Sequence, residues 1–178
     1  MGKKVENINE KLDFISWLDN LNDFKLPKKD ELPSIDLYMD QVLTYISSKL
    51  QPLIDDSDFL TASMINNYVK GKVIKAPNGK KYDTDTMEQL FFITLVKQVL
   101  SIAEIKELLD KDIITHYDEL IDYQNDILKS TIDDIKHNLE NNNTKKNLYT
   151  IGLKLAIEAE IKKIIVSKII EATKWKHY

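Results

Sequence analysis

The chain has 178 residues, 43% of them hydrophobic and 30% charged, with a formal net charge of -4. That is a globular composition, long enough to bury a core in one or two domains. Four Gly and four Pro argue against a sandwich or barrel with many tight turns, and the lack of Cys removes disulfides, thiolate nucleophiles and cysteine-ligated zinc.

All 25 basic residues are Lys. Without a planar guanidinium, every cationic contact is an ammonium point charge. No apolar run approaches the roughly 18 residues of a membrane span. The N-terminus lacks the apolar core of a signal peptide, and Glu6 stands where a myristoylation signal after Gly2 needs Ser or Thr. A cytoplasmic protein with no membrane partner is expected.

Residues 5–23 place Ile8, Leu12, Ile15 and Leu18 at helical spacing, with Phe14, Trp17 and Leu21 beside them, and predict an amphipathic helix. Pro27 and Pro33 bracket a charged stretch that reads as a linker. Ser34 is expected to open the next helix, with Asp36 in its first turn and Leu37, Val42, Tyr45, Ile46 and Leu50 on its apolar face. Pro52 ends it before a polar loop at 55–58.

Thr61 is placed to cap a short helix that buries Met64, Ile65 and Tyr68, with Gly71 to stop it. Val73–Ile74, a turn at Pro77-Asn78-Gly79 and a return over Lys80–Tyr82 make the only hairpin-like stretch in the sequence. Thr84 or Asp85 caps the following helix. Its cluster of Leu90, Phe91, Phe92, Ile93, Leu95 and Val96 is apolar on several faces and predicts a buried core helix. Ser101 with Glu104 fits a capping box for a short helix.

A long helix over 113–139 carries Ile114, Ile121, Leu128 and Ile135 in steps of seven, and a second covers 148–175. Residues 111–144 sum to -5 and residues 145–178 to +5. Antiparallel packing of the pair is expected to match these signs and bury the Ile/Leu faces. The seven-residue stripe also suits a seam between two chains, which makes a homodimer the expected assembly.

The charge is segregated. Residues 61–82 hold Lys70, Lys72, Lys75, Lys80 and Lys81 and no acid. A solvated basic loop and a phosphate-facing patch both explain such a run, and local structure decides between them.

The stretch TASMINNYVKGKVIKAPNGKKYDTDTMEQL, followed by FFITLVKQVLSIAEIKELL, resembles the DNA-binding domain of MerR-type transcription regulators. Ile65 and Tyr68 match the apolar and aromatic positions of the recognition helix, Lys80 and Tyr82 match the wing's basic-x-Tyr, and SIAEIKELL matches the closing helix. LPSIDLYMDQV at 32–42 and the NNYVKGK stretch also resemble a family of uncharacterised proteins of low-GC bacteria, classed as a domain of unknown function. The likeness covers residues 32–110. Asn66 stands where MerR-type proteins have an arginine, and Lys72 where they have the glycine before the wing.

The resemblance implies a mainly α fold: a winged helix-turn-helix with a small β-hairpin wing, plus a C-terminal pair of long helices. Three parts follow. Residues 1–33 are an N-terminal helix and linker, 34–110 the MerR-like domain, and 111–178 a helical hairpin for dimerisation or effector binding. Double-stranded DNA is the implied partner. Asn66, Asn67 and Lys70 would read bases, since Asn can bond adenine N6 and N7 together. Lys72, Lys75, Lys80 and Lys81 would meet phosphates. Tyr68 is counted with them, although its spacing equally suits a core position.

The expected function is therefore a DNA-binding transcription regulator, a homodimer with an unknown small-molecule effector as a further partner. The alternative is a non-catalytic helical interaction module on a helix-turn-helix scaffold that does not bind DNA. Catalysis is not expected. His116 shares a helix face with Asp112 and Glu119, His137 and His177 have no ligand partners at useful spacing, and no phosphate loop, nucleophile elbow or H-E-x-x-H occurs. Neither a cofactor nor a metal is expected.

Overall fold

The computed structural model describes residues 13–54, 59–109, 116–142 and 144–174. Ile8, Leu12, Asp112, Ile114, His177 and the loop at 55–58 lie outside them. The chain is mainly helical. A first helix, α1, covers 13–22, and a single 3-10 turn covers Lys29–Glu31. Strand β1 (Leu37–Tyr38) leads directly into α2 (Met39–Leu50), followed by α3 (Ala62–Lys70), β2 (Lys81–Tyr82), α4 (Thr84–Val96) and α5 (Ile102–Leu108). Two long helices, α6 (Tyr117–Asn141) and α7 (Lys145–Lys174), complete it.

The two strands pair antiparallel, Leu37 opposite Tyr82 and Tyr38 opposite Lys81. This corrects two expectations. Leu37 is a strand residue rather than part of the α2 face, and the helix starts at Met39, where the Gln41 side chain accepts from the Tyr38 N–H at 3.0 Å. Val73 and Ile74 form no strand; they are 6% and 4% exposed and sink into the core. Lys81–Tyr82 takes its ladder partners Tyr38 and Leu37 from 43 and 45 residues upstream instead.

Caps that join residues three apart form as the sequence predicts. Thr61 accepts from the Met64 N–H at 3.2 Å, and Ser101 and Glu104 close a reciprocal box. At α4 the cap is Asp83, not Thr84 or Asp85. Its carboxylate accepts from the Thr86 N–H at 2.9 Å, while Thr84 donates its hydroxyl to the Pro33 carbonyl. Helix α4 is the centre of the core, with Met87, Leu90, Phe91 and Ile93 all at 1% exposure or less.

Helix α6 enters that core through Tyr117 and Ile121. Further along, Ile132 packs with Leu18 and Leu21 of α1, joined by Leu128 and Ile135. Leu128 and Ile135 of the seven-residue stripe thus pack against α1 of the same chain, while Ile121 lies in the main core. Helix α7 docks on α5 near its C-terminal end, where Ser167 donates to Glu104 at 2.9 Å and Ile170 is 4% exposed. Most of its Ile/Leu face is not buried, contrary to the expected packing of the two long helices.

The stretch read as a linker is a packed strap. Leu26, Pro27 and Leu32 are buried. Tyr117 donates its hydroxyl to the Pro27 carbonyl at 3.0 Å, the Lys29 N–H donates to Asp118 at 2.8 Å, and Lys28 reaches Asp122 at 2.9 Å. The Lys29 ammonium lies 2.8 Å from Glu88, whose side chain is wholly buried in the middle of α4. Burial pushes the Glu88 carboxyl up, and Lys29 opposes that shift.

Lys29→Met therefore strands a buried carboxylate. Because Lys29 is itself half in water, the expected loss is about 2 kcal/mol, below the ~3–5 kcal/mol of a wholly buried pair. The deficit is expected to narrow as pH falls from 7 toward 5. There the folded variant binds a proton on Glu88 that the unfolded chain does not, which favours the folded form. Urea unfolding of Lys29→Met at several pH values checks this, with Lys29→Met/Glu88→Gln losing the pH dependence.

Candidate nucleic-acid interface

Helix α3 is nine residues long and has two sides. Ile65 and Tyr68 are buried, while Ser63, Asn66, Asn67 and Lys70 are exposed. Their spacing of i, i+3, i+4 and i+7 makes one outward stripe. Tyr68 leaves the proposed contact set. At 5% exposure it belongs to the core, and burial raises its hydroxyl pKa.

The end of α3 is a Schellman turn. The Val73 N–H donates to the Tyr68 carbonyl at 2.9 Å, and the Lys72 N–H to Val69 at 3.0 Å. Gly71 caps the helix, as the sequence predicts, and does so with a right-handed φ of -74°. The left-handed position is Lys72, with φ of 55°. The backbone there asks for Gly and receives Lys.

The same conflict recurs at the hairpin tip. Asn78 and Lys81 exchange hydrogen bonds, Asn78 N–H to Lys81 at 2.9 Å and Lys81 N–H to Asn78 at 3.0 Å. Gly79 and Lys80 between them have φ of 55° and 72°. This is a two-residue type I′ turn, centred on Gly79-Lys80 rather than on Pro77-Asn78-Gly79. It carries Lys80 to the tip and Lys81 into β2.

Among the described residues, no carboxylate ion-pairs with Lys70, Lys72, Lys75, Lys80 or Lys81, whereas Lys28, Lys29 and Lys136 are all engaged. Lys75 acts on Asp83 from a distance. Burial works against the Asp83 charge, but the Thr86 hydrogen bonds and then Lys75 hold its carboxyl below the usual range. Lys81 sits 5.0 Å over the ring of the half-exposed Tyr38.

Two contributors escape the sequence. Lys106 of α5 donates to the Gly71 carbonyl at 2.7 Å and so adds a cation at the C-terminal end of α3. Tyr38 joins the wing only because β1 pairs with β2, a pairing with no local signal.

Other candidates gather little. His116 bonds Glu119 at 3.2 Å in open solvent, and His137 contacts Asn141. A cleft of about 950 Å³ lies between the strap, the end of α2 and α6, lined by charges of both signs such as Lys28, Lys49, Asp122 and Asp126. It is polar and does not run between the two long helices.

Residues 27–125 match the model of a family described as a domain of unknown function (DUF1836). The chain belongs to this family. No curated protein and no solved structure matches it. The DUF1836 span starts at Pro27 and ends at Asn125, which are strap and α6 positions that bond across the fold: Asn125 accepts from the Leu26 N–H at 3.2 Å.

Lys72→Gly and Lys80→Gly are each expected to stabilise the fold by about 0.5–1 kcal/mol, because Gly takes the left-handed region without strain. Each removes a cation from the surface. Thermal unfolding and polyanion retention should therefore move in opposite directions, with the salt slope of DNA binding reduced by about one unit per lysine.

Proposed function

We propose that this DUF1836 protein is a cytoplasmic transcription regulator that binds double-stranded DNA in the manner of a MerR-like winged helix. The observation that carries the reading is the set of five lysines that, among the described residues, form no ion pair with a carboxylate, placed on α3 and on the adjoining loop and hairpin. Ordinary surface lysines need no such arrangement. Here two of them occupy backbone positions that Gly would take at lower cost.

The element order supports the same reading. A short capped helix with an outward polar stripe is followed by a hairpin whose strand pairs with the strand leading into α2, and then by a core helix. In this reading α3 enters the major groove. Asn66 and Asn67 bond base edges, with adenine as the natural match for an amide, and Lys70 lies beside them. Lys72, Lys75, Lys80 and Lys81 meet phosphates and set the register.

The chemistry of an arginine-free interface follows. Each contact is a hydrated point charge, so affinity depends strongly on salt and base choice rests on the amides. Four phosphate contacts give a slope of log K against log salt of about -3.6, and a fifth from Lys70 would bring it to about -4.5.

Selection of bound duplexes from a random pool at about 150 mM salt tests the proposal, since weak non-specific binding falls away there. The full chain is expected to enrich a motif containing A·T pairs, and the Asn66→Ala/Lys80→Ala/Lys81→Ala variant is expected to lose it. A pool that stays random for both overturns the regulator reading and leaves the interaction module in its place.

A further inference from the structure

Asn-Gly occurs once in the chain, at Asn78-Gly79, and the fold puts it at the exposed tip of the hairpin. Every other described Asn except Asn142 lies within a helix, where the backbone around it is fixed by the helical ladder. Several of those side chains are also engaged. Asn125 accepts from Leu26, Asn138 donates to the Asp134 carbonyl, and Asn141 donates to the His137 carbonyl. Asn78 differs on both counts. Among the described residues nothing bonds its side-chain amide, and nothing accepts from the Gly79 N–H.

We propose that Asn78 is a self-modification site, at which the Gly79 backbone nitrogen displaces ammonia from the Asn78 side chain. The Gly79 N–H gives its proton to hydroxide, and the nitrogen forms a bond to Asn78 Cγ. The bond from Cγ to the amide nitrogen breaks, and that nitrogen takes up a proton and leaves as ammonia. Water then opens the resulting five-membered imide at either carbonyl. The product is a carboxylate at position 78, on an aspartate or on an isoaspartate whose backbone is longer by a methylene.

The tip is built in a way that favours this reaction. Gly79 brings no Cβ, and the place where one would stand has no atom within 4 Å, so the ring closes without a clash. Lys75, Lys80 and Lys81 lie within three residues of Asn78 and, among the described residues, form no ion pair with a carboxylate. Their field favours the anionic nitrogen and the oxyanion that forms at Cγ. Asp83, the nearest carboxylate along the chain, is turned to the Thr86 N–H and hydroxyl. The clamp that opposes ring closure is small. Asn78 and Lys81 exchange two hydrogen bonds beside a ladder of two residue pairs, and so short a pairing opens readily.

The new carboxylate stands in residues 61–82, which otherwise hold no acid. Each conversion thus offsets one lysine of the patch, and the isoaspartate also breaks the Asn78–Lys81 register. The tip loses affinity for polyanions with age. The covalent step does not rest on DNA binding, and a random DNA pool leaves it standing.

Incubation of the full chain at pH 7 and pH 8, with mass spectrometry of tryptic peptides, reads the conversion. The peptide ending at Lys80 is expected to gain the mass difference between amide and carboxylate about tenfold faster at pH 8, since hydroxide supplies the base. It should also gain it at least about tenfold faster than the Asn-bearing peptides of α6, whose backbone the helix holds. Asn78→Gln should abolish the gain at that position, because closure then needs a larger ring. The converted chain should leave phosphocellulose at lower salt, with the slope of log retention against log salt reduced by about one unit, and Asn78→Asp should do so from the start. A rate at position 78 no greater than that in α6 overturns the inference, as does a gain that Asn78→Gln leaves unchanged. A converted chain retained like fresh protein overturns the link to the lysine patch.

Discussion

A carboxylate with no exposure to solvent needs a cation, and Glu88 obtains one only because the strap lies across α4. Much of the domain follows from that requirement. Holding Lys29 over Glu88 lays Leu26 and Leu32 into the core and brings the Pro27 carbonyl to the Tyr117 hydroxyl. Tyr117 in turn anchors the start of α6 against Phe92, edge to face at 5.3 Å. Helix α4 can then be apolar on nearly every side, since each side has a neighbour: α2, the wing, the strap or α6.

The interface is built on the far simpler logic of where a helix and a hairpin end. Tyr68 faces inward so that Asn66, Asn67 and Lys70 face outward. Val73 closes the Schellman turn from below and leaves Lys72 above it. Each outward group is positioned by an inward one a few residues away. Lys106 adds a tie from α5 to the last turn of α3, and α5 is also where α7 docks through Ser167 and Glu104. The short helix thus touches both the α3 end and the long arm.

Sequence legibility follows range. Thr61 to Met64 and Ser101 to Glu104 are contacts of three residues, and their chemistry is readable in the chain itself. The buried face of α3 and the all-round apolar character of α4 are readable for the same reason. The partner of Lys81–Tyr82 is not, because nothing near β2 names Leu37–Tyr38. The strap looks like a linker because Lys28 and Lys29 are flanked by acids and prolines, and only the fold shows that one lysine answers a carboxylate 59 positions away. Glu88 itself reads as one polar residue in an apolar helix. The outward placement of Asn66, Asn67 and Lys70 follows the helical spacing of α3, Tyr68 is ambiguous in the chain alone, and Lys106 and Tyr38 reach this end of the domain only through tertiary contacts.

The strap has a kinetic side. Its hydrogen bonds join residues 89 to 99 positions apart, and closing a loop of that length costs about 4 kcal/mol in chain entropy beyond a constant. Contacts of such separation repay their entropy late in folding. The turn from Tyr68 to Val73, the hairpin from Asn78 to Lys81 and the cap from Asp83 to Thr86 need no such closure. One small domain therefore contains both extremes. Its lysine-bearing end is assembled from chain neighbours that meet early, while the clasp of the strap on α6 is the contact for which the chain waits longest.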